Sequence, residues 1–353
     1  MPAALFVQGN SALNIKNGAG ISGEKYKQIT KAVFGDGPKD KALLGEGVYR
    51  EYGKAENGFN VSSCQFAIHY MFETRANVYN FLRNVCECTE VGGYFIGTTY
   101  DGATMFDALK PYEEGDGISV LHKGKRVWQV TKAYTATEFP DDETCVGYAI
   151  DVYQESINKT FREYLVNFNY LKRLMANFGF EVVQRDDAIK DLGLPDGTGM
   201  FEQLYAQMMT RIKQTPSLAS DLGSAPDMHD YERRISFYNR YFVFKKVRSI
   251  DNAEQVVKGL LGTSTAFEKQ MAALEHEKEQ EALKPADVLV VTKPATTKPK
   301  PKPKAQAAEP KTQTAAAEPK EIPPPPTTAT ATPEKKKPGR KPKIQLIVKD
   351  KEE

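Results

Sequence analysis

The sequence predicts an α/β protein built on parallel strands, and three stretches carry that prediction. Residues 58–66 (GFNVSSCQF) form a short, mostly buried strand. Residues 76–87 (ANVYNFLRNVCE) place Val78, Phe81, Leu82 and Val85 at helical spacing. Residues 91–99 (VGGYFIGTT) make a second strand after a Gly-Gly turn. A helix between two neighbouring strands is a βαβ unit, and its crossover makes the strands parallel.

The other elements follow in chain order. AALFVQG (3–9) is strand-like almost from the first residue. NGAGISG then matches G-x-G-x-x-G at Gly18, Gly20 and Gly23. A dinucleotide fingerprint needs its first Gly directly after a strand; here NSALNIKN intervenes, so the motif is read as a flexible Gly-rich loop. EKYKQITKAVF is a helix, followed by a polar, Gly-rich insertion to residue 57. Residues 118–134 alternate around Lys-Gly-Lys and predict a β-hairpin. Residues 160–179 predict one long helix with Phe161, Leu165, Phe168, Leu171, Met175 and Phe178 as its apolar stripe and Gly179 at its end. FEVV continues as a strand, 198–214 as a helix and 235–247 (ISFYNRYFVFKKV) as a last aromatic strand.

Charge divides the chain. Residues 283–353 hold 16 Lys and Arg against 8 Asp and Glu, leaving 32 against 38 in residues 1–282, a net of −6. An acidic body therefore carries a basic tail. The tail is Lys-, Pro- and Ala-rich and is expected to be disordered, because it buries too little apolar surface to offset its ordering entropy. The expected organisation is a body over 1–250, a charged helical linker over 251–284 and a disordered tail over 285–353. Cys64, Cys86, Cys88 and Cys145 lack the paired spacing of a zinc site and read as free thiols in a reducing compartment. No apolar run is long enough to span a bilayer and no signal peptide is evident, so a soluble intracellular protein without a membrane or metal partner is expected.

Ligands of open α/β sheets bind beyond the carboxyl ends of the strands. Gln65, His69 and Tyr70 lie at or past the first strand end, and Thr98, Thr99 and Asp101 past the second. SCQFAIHYMFE (63–73) and FLRNVCECTEVGGYFIGTTYDG (81–102) together resemble the mRNA cap guanine-N7 methyltransferases, which show an SCQF-x-x-HY-x-F-E run, a helix and then GGYFIGT. The resemblance covers about residues 3–247, and the polar insertion and tail look most like capping enzymes of large DNA viruses. It implies a Rossmann-like methyltransferase sheet, S-adenosylmethionine as cofactor and capped RNA as partner, at a cytoplasmic viral factory or in the nucleus. It places Asn10, Gln65 and Tyr70 on the donor side, with Asn10 where the family usually has Asp. It places His69, Glu163 and Tyr241 on the cap guanine.

Each role has a structural rival. Thr160-Phe-Arg-Glu163 is also a helix capping box. Tyr241 also suits a core, and Gln65 also suits a bond to neighbouring backbone. Guanine N7 carries a lone pair and loses no proton on methylation, so positioning residues are expected and no acid/base pair. A carboxylate accepts both N1–H and N2–H of guanine, and an aromatic face stacks on the base.

The family's first strand with its Gly-rich turn, the acid ending its second strand and an N-terminal cap-contacting Lys have no counterpart in this sequence. The sheet is therefore expected to lack its first strands, leaving an unpaired edge at FNVSSCQF. Met1 is expected to be an internal methionine of a longer protein, or the gene split or its record incomplete. The alternatives are an upstream half supplied as a separate polypeptide and an inactive remnant. A different class of function is a nucleic-acid-binding module: KKKPGRKPK near the end resembles a loose minor-groove arm, and equally suits nuclear import or nonspecific RNA attraction.

Overall fold

The computed structural model describes residues 4–262. Of the charged helical linker expected over 251–284, residues 263–284 lie outside the described residues, as do the tail and its basic cluster. In chain order the elements are α1 (Glu24–Val33), α2 (Lys41–Arg50), β1 (Phe59–Gln65), α3 (Ile68–Met71), α4 (Arg75–Cys88), β2 (Thr89–Tyr100) and α5 (Gly102–Leu109). Then come β3 (Gly117–His122), β4 (Lys125–Lys132), β5 (Ala149–Gln154), β6 (Lys159–Tyr164), α6 (Phe168–Asn177), β7 (Phe180–Val182) and the single turn α7 (Arg185–Asp187). β8 (Thr198–Met200), α8 (Phe201–Gln214), α9 (Asp230–Ser236), β9 (Asn239–Lys246) and α10 (Ala253–Leu261) complete the described chain.

The βαβ unit forms as read. β1 and β2 pair in parallel, with Ser62 opposite Phe95 and Gln65 opposite Thr98. The rest of that sheet is antiparallel: β9 pairs β2, and both β7 and β8 pair β9. The Thr74 hydroxyl caps α4 by accepting from the Asn77 amide. The helix turns Val78, Tyr79, Leu82 and Val85 inward against Phe95, Phe242 and Phe244 of the sheet and Leu171 and Met175 of α6. Each such side chain contributes about 1.5–3 kcal/mol on burial. Buried Lys246 closes the far end of α4 by donating to the Cys86 and Thr89 carbonyls, which a helix C-terminus leaves unpaired.

A second sheet, β3-β4-β5-β6, is antiparallel throughout. Its first hairpin turns at Lys123 and Gly124, both at positive φ. Its apolar face, with Ile118, Val120, Trp128, Val130, Ile150 and Val152, packs on Met105, Phe106 and Leu109 of α5 and on Tyr231 and Ile235 of α9.

Four expectations change. The long helix over 160–179 is a strand to Tyr164 and a helix from Phe168, capped by the Asn167 side chain. Residues 159–164 pair with β5, which overrides the helical spacing. The last strand begins at Asn239, with residues 230–236 helical. Residues 4–8 join no strand ladder; the pairing there is a single bridge from Gly9 to Ile21, with the Gln8 carbonyl accepting from the Ser22 amide. Finally, β1 is not mostly buried: Phe59 is 44% and Val61 50% exposed, because β1 pairs with β2 alone.

Gly97 sits where β1, β2 and β9 meet. A Cβ there would overlap the Phe242 ring and the Cys64 carbonyl. Gly97→Ala is expected to lower unfolding free energy by about 1–3 kcal/mol, as overpacking does. Urea denaturation measures it; an unchanged midpoint would contradict the packing described.

Candidate functional site

The site grows from the end of β1. The Phe66 amide donates to the Thr98 carbonyl, and Phe66 has φ of 50°, a left-handed conformation uncommon for a bulky residue. The chain then turns into α3, which carries His69 and Tyr70, and the Phe72 carbonyl accepts from the Gly147 amide in the connection between β4 and β5. β6 brings Glu163 to the same place from the second sheet.

His69 and Glu163 are 4% and 6% exposed, and His69 Nε2 lies 3.5 Å from Glu163 Oε2. They make no hydrogen bond: both imidazole nitrogens and Glu163 Oε2 are buried without a partner. The contact is not an ion pair. Burial pushes His69 down to about 4 and Glu163 up to about 7, so each favours its neutral form at mildly acid pH. Tyr70 packs edge-on against His69, ring centroids 4.3 Å apart, and is 39% exposed. Burial, then the Glu163 charge, raises its phenol. Tyr100 closes the buried side: its hydroxyl accepts from Trp128 Nε1–H at 3.0 Å, and burial pushes it up to about 12. Leaving buried polar atoms unpaired costs about 1–3 kcal/mol each. Three such atoms beside a half-exposed tyrosine leave pairing capacity for a group that carries N–H donors and acceptors.

A family model described as the mRNA (guanine-N(7))-methyltransferase domain matches residues 27–247. The chain belongs to this family.

Two curated relatives show the extent of the likeness. A protein of Acanthamoeba polyphaga mimivirus named "Probable mRNA-capping enzyme" is 23% identical over 218 residues, 56% of this chain and 18% of that protein. The Saccharomyces cerevisiae "mRNA cap guanine-N(7) methyltransferase" is 24% identical over 201 residues, 56% of this chain and 44% of that one. The chain thus spans less than half the length of either. Among solved structures, a Streptomyces caelestis methyltransferase aligns over 55% of this chain and 59% of its own at 12% identity, with a TM-score of 0.31, too slight a likeness to argue from.

Within this methyltransferase domain the expected site residues separate into groups. His69, Tyr70 and Glu163 are together, as described. Glu163 stands on a strand and caps no helix, so its capping-box rival is removed. Gln65 has its amide oxygen taken by the Thr98 hydroxyl, while its amide nitrogen donates to Ser63 Oγ, so its bonds are to neighbouring side chains and not to backbone. Asn10 accepts from the Ala12 amide through its side-chain oxygen, leaving its amide nitrogen free. The loop around it is docked on α4 by Asn84, whose amide donates to the Ser11 and Leu13 carbonyls, and the Ser11 hydroxyl reaches the Met71 sulfur at the end of α3. The Gly-rich motif serves that loop, since a Cβ on Gly20 would overlap the Asn10 carbonyl. Tyr241 pairs with Thr98 across the strands, is 5% exposed, and donates its hydroxyl to the Asp196 carbonyl. No hydrogen bond or ring contact among the described residues joins it to His69 or Glu163.

Thr98 and Thr99 lie within β2, which runs to Tyr100. Asp101 is structural: it caps α5 through the Thr104 amide and binds Arg240 Nε at 2.6 Å. Sequence reasoning missed Tyr100 and Trp128. The one available signal was a polar-tipped aromatic ending an apolar strand. No group of three or more metal-ligating side chains exists among the described residues, nor any helix long and apolar enough to cross a membrane.

Proposed function

We propose that this chain methylates the cap guanine of mRNA at N7, with His69 and Glu163 holding the base. The carrying observation is the buried, unpaired Glu163 oxygen 3.5 Å from an equally unpaired imidazole. An ionised Glu163 accepts from N1–H and N2–H, an arrangement that adenine cannot reproduce. His69, neutral through burial, offers one donor and one acceptor to the same base. Tyr70, half-exposed beside His69, offers an aromatic face, and buried Tyr241 is proposed as a second aromatic contact. S-adenosylmethionine, when bound, supplies a methyl group activated by sulfonium charge. Asn10 through its free amide, Gln65 and the Tyr70 hydroxyl are the groups this chain offers to it. No residue needs to move a proton, because N7 carries none; alignment is the contribution, and orientation can supply about 7–11 kcal/mol in favourable cases.

The donor side is proposed to be completed at the free edge of β1 by strands from another stretch of polypeptide, in the same protein or a partner. Supporting this, β1 pairs with β2 alone among the described residues, and Phe59 and Val61 of β1 and Phe6 of the N-terminal segment are exposed, Phe6 at 86%. Open apolar strand edges invite such pairing.

The test is methyl transfer from labelled S-adenosylmethionine to GpppG- and ApppG-capped RNA, with the position of the methyl group identified by digestion, alongside binding of the two caps. N7 methylation or selective binding of GpppG is expected. No transfer together with equal affinity for the two caps would overturn the reading.

A further inference from the structure

The second sheet turns one face to α5 and α9 and the other outward. The outward face is neither apolar nor plainly charged; it is a ladder of linked polar and aromatic side chains. Arg126 lies over the Tyr153 ring at 4.1 Å and donates to the Gln129 amide oxygen, and Gln129 donates to the Thr131 hydroxyl. Gln129 pairs with Tyr153 across the strands, Thr131 with Asp151, and Asp151 with Arg162.

Arg126 reaches this face only because of a bulge. Strict alternation would put it with Trp128 and Val130 on the apolar side. The register slips between Val120↔Trp128 and Leu121↔Arg126, leaving Val127 over and re-aiming Arg126 outward. Bulges that redirect a side chain are frequent beside functional sites. The hairpin tip adds Lys123 beside this face, whereas Lys125 and Lys159 stand opposite His122 and Gln154 on the other one. Arg126, Arg162 and the tip Lys123 stand there against one acid, Asp151, a net of +2 on a body whose residues 1–282 sum to −6. Arg162 and Asp151 are committed to each other at 2.6 and 2.9 Å, whereas Arg126 has no carboxylate partner.

We propose that this outward face binds the single-stranded RNA that follows the cap, with Tyr153 and Arg126 as its stacking platform. An aromatic ring backed by a guanidinium on a face of net positive charge is the sequence-tolerant chemistry that single strands need. β6 connects the two regions: Glu163 points to the apolar side and Arg162, its neighbour, to the outer face. β6 is the edge strand of its sheet, so a transcript held by its cap beside Glu163 would reach the ladder by turning round that edge. This route rests on the cap reading above; binding by the ladder does not.

The test uses the full chain and an uncapped, 4-thiouridine-substituted single-stranded RNA of about a dozen nucleotides. Ultraviolet cross-linking with peptide mapping is expected to label the peptides holding Arg126 or Tyr153. The Arg126→Ala/Tyr153→Ala double variant should lose those cross-links and bind RNA roughly 5- to 100-fold more weakly, with a shallower salt dependence and unchanged binding of the GpppG dinucleotide. Cross-links confined to residues 263–353, or equal RNA affinity in the variant, would overturn the platform. Because the probe is uncapped, failure of the cap reading would leave this result intact, and failure of the platform would leave GpppG selectivity intact.

Discussion

Glu163→Gln is expected to abolish cap-guanine selectivity while making the protein more stable at alkaline pH. The substitution keeps shape and removes charge. A glutamine oxygen can accept one guanine N–H, but its NH2 group then faces the second donor. Losing a charge-assisted bond costs about 1.5–3 kcal/mol, so GpppG affinity should fall at least roughly 10-fold, and further if the clash is not relieved. Calorimetric titration of GpppG against ApppG reads this directly.

The stability effect has the opposite sign. Burial raises Glu163 from 4.5 to about 7. Wild-type stability is thus full below pH 4.5 and lost as pH rises toward and through 7, because the buried carboxyl must then ionise. At about 1.4 kcal/mol per unit, the deficit at pH 8 is on the order of 2–4 kcal/mol. The Glu163→Gln variant has no such slope, so its melting temperature should exceed that of the wild type at pH 8 and match it near pH 4.5. Cap affinity of the wild type should instead rise between pH 6 and 8, as the carboxylate forms. His69 adds the mirror trend: depressed to about 4, it contributes stability present above its ordinary 6.5 and lost as pH falls through 4. Equal GpppG affinity in wild type and variant at pH 8 would remove Glu163 from guanine recognition.

Asp101→Ala is expected to be the most destabilising single exchange at the strand ends. Asp101 is 4% exposed, caps α5 through Thr104 and holds Arg240, which also reaches the Thr198 hydroxyl. Burial by itself would raise its carboxyl, but bonds from Thr104 and the Arg240 charge outweigh it and hold the group below its ordinary value. Removing one partner of a buried pair costs about 3–5 kcal/mol, and the lost cap adds about 1 kcal/mol. Since the folded value is depressed, this stability is present above pH 3.8 and lost as pH falls below it. The Asp101→Ala/Arg240→Met double variant should recover part of the loss, since it leaves no unpaired, partly buried cation. Unfolding free energies of the three proteins, in denaturant at pH 7, decide the matter; a single variant within about 1 kcal/mol of wild type would show the pair to be dispensable.

Much of the domain was legible in the chain. The βαβ unit is local: Val78, Leu82 and Val85 at helical spacing between two short apolar runs admit few other arrangements. The hairpin at Lys123-Gly124 is also local, as are the strand-end positions of Gln65, His69 and Tyr70. Errors arose where distant pairing overrode a local signal. Phe161, Leu165 and Phe168 fit a helical stripe, yet β5 offers residues 159–164 a ladder and Asn167 starts the helix only after it. Residues 3–9 have the alternation of a strand, but a strand needs a neighbouring strand to pair with, and residues 4–8 join no ladder.

The sequence by itself determined the fold class, the family and the residue types at the strand ends, because periodicity and motif order are properties of neighbouring residues. Only the tertiary structure decided what those residues face. Glu163 lies 94 positions from His69, and their approach depends on a second sheet whose four strands fold back beside α3. The same folding sent the Tyr241 hydroxyl to Asp196, enlisted Asp101 to hold Arg240, and turned Arg126 outward through a one-residue slip. Burial sets charge state and unpaired atoms mark a ligand's place, and both are properties of what surrounds a side chain, which no local stretch of sequence contains.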